Sequence, residues 1–162
     1  MNLKIFATGG TFDKIYNEVD GSLIFRETHL NNILNDAKSK IDIEIETIML
    51  VDSLYMEDGH RQEILDKCRL CKEDGIIITH GTDTMAETAK LLAKEIKGKT
   101  IVLTGAMVPY SFAKSDANFN LGCAIAFAQI LPKGVYITMH GKIFNHDNVR
   151  KNKETSEFET IK

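Results

Sequence analysis

Three cysteines, Cys68, Cys71 and Cys123, are too few to staple a fold or to fill a four-ligand zinc site. Cys68 and Cys71 form one Cys-x-x-Cys pair, but Ile64, Leu65, Cys68 and Cys71 share a helical face, so the thiols read as small buried hydrophobes. The histidines are scattered, and His140 with His146 lacks the helical His-x-x-x-His spacing. No metal centre and no cofactor are expected. Charge of one sign is missing as well: 20 basic and 23 acidic residues give a net charge of -3, spread along the chain, which argues against a nucleic-acid or polybasic membrane face. No apolar run approaches the ~20 residues of a membrane span. The stretch Met1 to Phe6 enters a glycine turn too soon for a secretory signal, so a cytoplasmic home is expected. What is present is an ordinary globular balance, 43% hydrophobic and 27% charged over 162 residues, which suits one domain spanning 1–162.

The most informative stretch is His80-Gly81-Thr82-Asp83-Thr84-Met85. Upstream, Gly75 to Thr79 is a short run of β-branched residues, the signature of a strand covered on both faces. Downstream, Met85, Ala89, Leu92, Ala93 and Ile96 recur at helical spacing, and Thr84 with Glu87 predicts a capping box. Thr82 and Asp83 therefore fall on a turn at the carboxyl end of a strand, where open α/β sheets hold ligands.

The other segments repeat this pattern. Leu3 to Ala7 reads as a strand, and Thr8-Gly9-Gly10-Thr11 is either a nucleophile loop around Thr11 or an ordinary βα turn. The fingerprints of dinucleotide and P-loop sites are absent. Phe12 to Phe25, with a turn at Asp20-Gly21, predicts a hairpin placed to act as a lid; Tyr16 either carries a phenol over the site or packs its own hairpin. Thr28 is expected to cap a helix bearing Leu30, Ile33, Leu34 and Ala37, followed by a strand from Ile41 to Leu50. Ser53, in the next connection, binds substrate or caps a turn. A helix from about His60 to Lys72, a strand at Thr100 to Thr104, a helix capped by Ser115 or Asp116 with Phe119, Cys123, Ala126 and Phe127 on one face, and a strand at Val135 to Thr138 complete the alternation. Lys142 to Phe144 reads as the arm of a small hairpin. The expected fold is a doubly wound, open, mostly parallel α/β sheet of about five strands with helices on both faces. Thr11, Ser53, Thr82 and Asp83 would then converge on one sheet edge.

Ala7-Thr8-Gly9-Gly10-Thr11, Asp52-Ser53, Thr79 to Met85, Leu103-Thr104-Gly105-Ala106-Met107 with Pro109, Ser115-Asp116 and Phe119-Asn120-Leu121 follow one another in an order and spacing that resembles the bacterial-type L-asparaginase family. Val149-Arg150-Lys151 is similar to the segment carrying that family's catalytic lysine. The resemblance covers most of the chain and is to the amino-terminal domain, as in the short single-domain members. It implies an amidohydrolase in which Thr11 attacks the side-chain amide of L-asparagine, with L-glutamine as a second candidate substrate and ammonia as product. It further implies that Thr82, Lys151 and Asp83 form a second catalytic group, that Tyr16 activates Thr11 from the lid, and that Ser53, Asp83, Gly81 and Gly10 contact substrate. Leu54 stands where two-domain members carry a glutamine for the α-carboxylate, so selectivity is expected to differ. An open site edge in so small a chain predicts a homo-oligomer.

Overall fold

A computed structural model describes residues 2–162. Its centre is a six-stranded sheet made of β1 (Leu3–Gly9), β4 (Ile43–Val51), β5 (Gly75–Thr79), β6 (Thr100–Thr104), β7 (Gly134–Met139) and β8 (Lys142–Asn145). In space the strands lie in the order β4-β1-β5-β6-β7-β8. The first five run parallel, as expected, and β8 adds an antiparallel edge through its hairpin with β7.

Side-chain alternation along the strands builds two cores. On one face Phe6, Ile76, Ile78, Ile101 and Leu103 pack with Ile64 and Leu65 of α2 (Asp58–Leu70) and Ala89 and Leu92 of α3 (Met85–Glu95). On the other, Leu3, Ile5, Ala7, Ile77 and Val102 meet Leu30 and Ile33 of α1 (Leu30–Asp36) and Leu121 and Ala124 of α4 (Ala117–Ile130). Each fully buried aliphatic side chain contributes roughly 1.5–3 kcal/mol. The central strands β5 and β6 are covered on both sides and read as continuous apolar runs, whereas β4 at the edge opens by alternating apolar and charged residues.

The chain crosses from β1 to β4 on one side and then back to β5 on the other. The β1–β5 neighbours, with Leu3 facing Gly75 and Ala7 facing Thr79, therefore mark the point where the winding reverses. Loops leaving these two strands diverge to opposite faces and open a crevice between them. Both threonine loops start there.

Two shorter pairings complete the fold. The expected hairpin is β2 (Lys14–Tyr16) against β3 (Leu23–Phe25), and a second one joins β9 (Arg150–Lys151) to β10 (Phe158–Glu159).

Several local expectations are corrected. The Thr84–Glu87 capping box does not form: the Thr84 hydroxyl donates to the Ser53 carbonyl at 2.9 Å, and Glu87 pairs with Arg61 at 3.1 Å. Tertiary partners have outcompeted the local cap. α4 buries Ala117, Asn120, Leu121, Ala124, Ile125 and Ala128, while Phe119, from the face expected to be buried, is 60% exposed. α2 begins and ends two residues earlier than expected, at Asp58 and Leu70. Asp116 stands at the N-cap of α4 but its carboxylate turns elsewhere, and Ser115, one residue earlier, accepts from the Ala117 N–H at 3.1 Å in a local turn.

Candidate active site

Three connections meet at the crevice, and backbone packing sets their spacing. Gly10 holds φ 71°, and a Cβ there would overlap the Gly81 backbone. A Cβ on Gly81 would in turn lie 2.5 Å from the Ser53 Oγ. The loops after β1, β4 and β5 are thus stacked at distances only glycine permits. The Gly10 N–H donates to the Val51 carbonyl at 2.9 Å, fastening the first loop to the second.

On the first loop, Thr11 opens a 3-10 turn, Thr11–Asp13, and is half-buried. Asp13 is fully buried and ties this turn to the start of α1, accepting from the Thr28 hydroxyl at 3.0 Å and the His29 N–H at 3.1 Å. Burial raises its pKa above the ordinary carboxylate value despite those two donors.

On the second loop, Asp52 caps the 3-10 turn Ser53–Tyr55 by accepting from the Leu54 N–H at 3.0 Å. Its other oxygen pairs with Lys14 of β2. Burial alone would raise the Asp52 carboxyl, but the Lys14 hydrogen bond, the Leu54 amide and the charges of Lys14 and Lys151 outweigh it and lower the pKa. Ser53 is 1% exposed, and its Oγ has no hydrogen-bond partner among the described residues. Buried hydroxyls are normally paired, so this unpaired one stands out among the groups of the crevice.

The third loop hangs from His80, which is wholly buried. Its Nδ1 lies 2.7 Å from the Gly81 carbonyl and its Nε2 2.8 Å from the Thr88 Oγ1. A carbonyl only accepts, so Nδ1 carries the proton and Nε2 accepts from threonine. Burial drives the His80 pKa down to about 4, against the raising effect of the Gly81 bond, and the ring is neutral at pH 7.

Thr82 and Asp83 follow, and both meet Lys151. The lysine Nζ is 2.8 Å from the Thr82 Oγ1 and 2.8 Å from the Asp83 Oδ1. Thr82 is 6% exposed, so the hydroxyl–amine contact is sheltered while the carboxylate faces outward. Lys151 reaches it from β9, whose partner β10 is anchored by Phe158 against Phe144, with ring centroids 6.4 Å apart.

The sequence-derived candidates therefore fall into two sets. Gly10, Gly81 and Ser53 are packed together, Thr11 is carried on the turn that Gly10 leads into, and Thr82, Asp83 and Lys151 form a hydrogen-bonded trio. Tyr16 is not joined to them: it is 55% exposed, no hydrogen bond links it to Thr11 among the described residues, and its hydroxyl sits by Gly21 in its own hairpin. Leu54 is 67% exposed and presents no polar group in place of a glutamine. Sequence reasoning assigned no role to Lys14, to His80 or to Met107 in the loop after β6, whose Sδ lies 3.9 Å from the Thr82 Oγ1. Their side chains act through backbone groups and neighbours, which motif spacing does not reveal.

The same segments are matched by the family model described as asparaginase, N-terminal, over residues 2–162. The chain belongs to the asparaginase family. Among relatives of this asparaginase-family chain, L-asparaginase 2 of Escherichia coli K12 is 31% identical over 164 residues, covering 95% of this chain and 47% of that protein. A glutamyl-tRNA(Gln) amidotransferase subunit of Methanococcus maripaludis strain C5 is 31% identical over 153 residues, covering 87% of this chain and 35% of that one. Among solved structures, the thermostable L-asparaginase from Thermococcus kodakarensis superposes with a TM-score of 0.86 at 31% identity, over 99% of this chain and 51% of that one. This asparaginase-family chain thus spans about half the length of those L-asparaginases. Among the described residues, no helix is long and apolar enough to cross a membrane.

Proposed function

We propose that the crevice hydrolyses the side-chain amide of L-asparagine, with L-glutamine as the neighbouring candidate. The observation that carries this reading is the Lys151 Nζ placed 2.8 Å from both the Thr82 hydroxyl and the Asp83 carboxylate, two groups of the loop whose Gly81 packs against Gly10, the residue before Thr11. An alcohol is a weak nucleophile until a base removes its proton; here the Lys151 Nζ donates to the Thr82 Oγ1, and the same contact lets it take the hydroxyl proton only when the amine is unprotonated.

In the proposed sequence Thr11 Oγ attacks the amide carbon and gives up its proton, and the nitrogen leaves as ammonia after taking a proton. A β-aspartyl ester on Thr11 remains. Water then attacks that ester, its proton passing through Thr82 to an unprotonated Lys151 and on to the departing Thr11 oxygen, so that aspartate is released with the Thr11 hydroxyl restored. Ser53 and the Gly10 and Gly81 backbone line the substrate, and Asp83 holds its α-ammonium. The hairpin carrying Tyr16 serves as a lid that brings the phenol over Thr11 when substrate is bound. The exposed Leu54, Tyr55 and Tyr16 support self-association into a homo-oligomer, and the three unpaired cysteines suit a cytoplasmic setting.

Ammonia release from asparagine and glutamine by wild type, Thr11→Ala and Thr82→Ala tests the reading. Turnover by wild type and loss of at least about 100-fold in each variant is expected. No turnover by wild type, or full turnover by Thr11→Ala, rejects it.

A second reading is an amide substrate larger than a free amino acid, favoured by the tRNA amidotransferase among the relatives and by exposed Leu54 where a polar carboxylate contact is lacking. A panel of peptidyl and macromolecular amides separates the two.

A further inference from the structure

The loop leaving β6 passes directly behind Thr82. A Cβ on Gly105 would stand 3.3 Å from the Thr82 methyl carbon, and the Met107 sulfur is 3.9 Å from its hydroxyl. Both groups of the Thr82 side chain are thereby flanked by this one loop.

One carboxylate organises that loop. Asp116 receives the Met107 N–H at 3.0 Å on each oxygen and the Val108 N–H at 2.9 Å. It also receives the Asn120 Nδ2 at 2.9 Å and, from the turn after β7, the His140 Nε2 at 2.9 Å. An ionised carboxylate only accepts, so the imidazole donates. Asn120, fully buried, closes the network by donating to the Gly105 carbonyl at 3.0 Å and accepting from the His140 N–H at 2.9 Å. His140 has φ 52°, a left-handed backbone that a side chain adopts only when its surroundings hold it there. Two separate connections and α4 itself therefore converge on Asp116, which is far more than an N-cap requires.

We propose that Asp116, completed by His140, is the positioning residue of this site: by fixing Met107 it holds Thr82 in the rotamer that keeps the hydroxyl on Lys151. The inference rests on the amidohydrolase reading for its kinetic form. Its structural form, the Thr82 rotamer, does not depend on turnover. Because Ser53 and Asp83 are held by other loops, loosening Met107 disturbs the proton-handling step and leaves substrate binding intact.

The test uses Asp116→Asn, His140→Gly and His140→Asn in the full chain, each first confirmed as folded by its thermal transition. Kinetics are read beside the Thr82 three-bond couplings in a threonine-labelled sample. Asp116→Asn is expected to lower kcat by about tenfold or more with KM within about twofold, and to average the Thr82 couplings over several rotamers. His140→Gly keeps the left-handed backbone, lacks the donor and shows a smaller effect of the same kind. His140→Asn, which tolerates that backbone and can donate, restores most of kcat. A folded Asp116→Asn with wild-type kcat and a single Thr82 rotamer overturns the inference, as does a loss confined to KM. Should Asp116→Asn fail to fold, unchanged couplings in His140→Gly overturn it. In a wild type that releases no ammonia, the couplings alone decide, whereas activity lost in Thr82→Ala but kept in Asp116→Asn leaves the hydrolase reading standing.

Discussion

Lys151 Nζ and Thr82 Oγ1 lie 2.8 Å apart although 69 residues separate them in the chain. No other amine touches a threonine hydroxyl among the hydrogen bonds of the described residues. Replacing Lys151 with Met keeps the aliphatic stem and removes the amine. Ammonia release should fall by about 100-fold or more, since general-base contributions run from 10² to about 10⁴. The pair with Asp83 is part-exposed, so the melting temperature should barely move.

Gly81→Ala tests the stacked loops. The added methyl group would meet the Ser53 Oγ and Cβ at 2.5 Å and the Ser53 backbone nitrogen at 2.9 Å, so a side-chain rotation alone cannot make room for it. Overpacking of this kind costs about 1–3 kcal/mol, readable as a lower midpoint in urea. KM for the amide substrate should rise at the same time, because the displaced hydroxyl is the one proposed to contact it.

His80 makes stability depend on pH in a defined window. Its ordinary pKa of 6.5 applies unfolded and about 4 applies folded, so between these values the unfolded chain binds a proton that the native ring refuses. Stability should therefore be complete above pH 6.5 and fall by up to about 3 kcal/mol as pH drops toward 4. Asp13, with its pKa raised by burial, opposes part of this loss at the acid end. Urea titrations at several pH values check the slope, and His80→Gln should flatten it.

Cutting the tie between Lys14 and Asp52 isolates the hairpin. Lys14→Met removes the ion pair to the serine loop, leaving the hydrogen bond from the Ser111 hydroxyl to the Lys14 carbonyl. Limited proteolysis in the turn at residues 17–22 should accelerate, and affinity for substrate should weaken by several-fold. An unchanged digestion pattern would show that the ion pair does not restrain the hairpin.

Much of this architecture is legible in the amino-acid order. Ile76, Ile77 and Ile78 announce a strand covered on both faces, and Gly9-Gly10 and Gly81 announce loops under tight packing, because sterics leave few alternatives to glycine there. The buried face of α4 is harder to read for a physical reason. Leu121, Cys123, Ala124, Ile125, Ala126 and Phe127 are apolar nearly all round, so helical periodicity offers no single stripe to choose. The Thr84 hydroxyl goes to the Ser53 carbonyl instead of its own helix, a choice that depends on a loop 31 residues away. Lys151 emerges only through family likeness, since nothing in local periodicity ties a two-residue strand this far along the chain to a turn after β5. Asp116 reads as a cap because the sequence shows a carboxylate before a helix, and the amides it serves belong to the preceding loop.

The attachment of Lys151 has a consequence for how the site depends on the rest of the fold. The sheet, both stacked glycine loops and most of the two cores use residues up to Asn145, so the scaffold is built without the segment that carries the amine. Lys151 is then seated by the β9–β10 hairpin, with Phe158 docking on Phe144 and the Asn148 Oδ1 accepting the Ile161 and Lys162 N–H groups at 2.9 and 3.0 Å. The amine is thus held to Thr82 by a small separate hairpin and not by the central sheet.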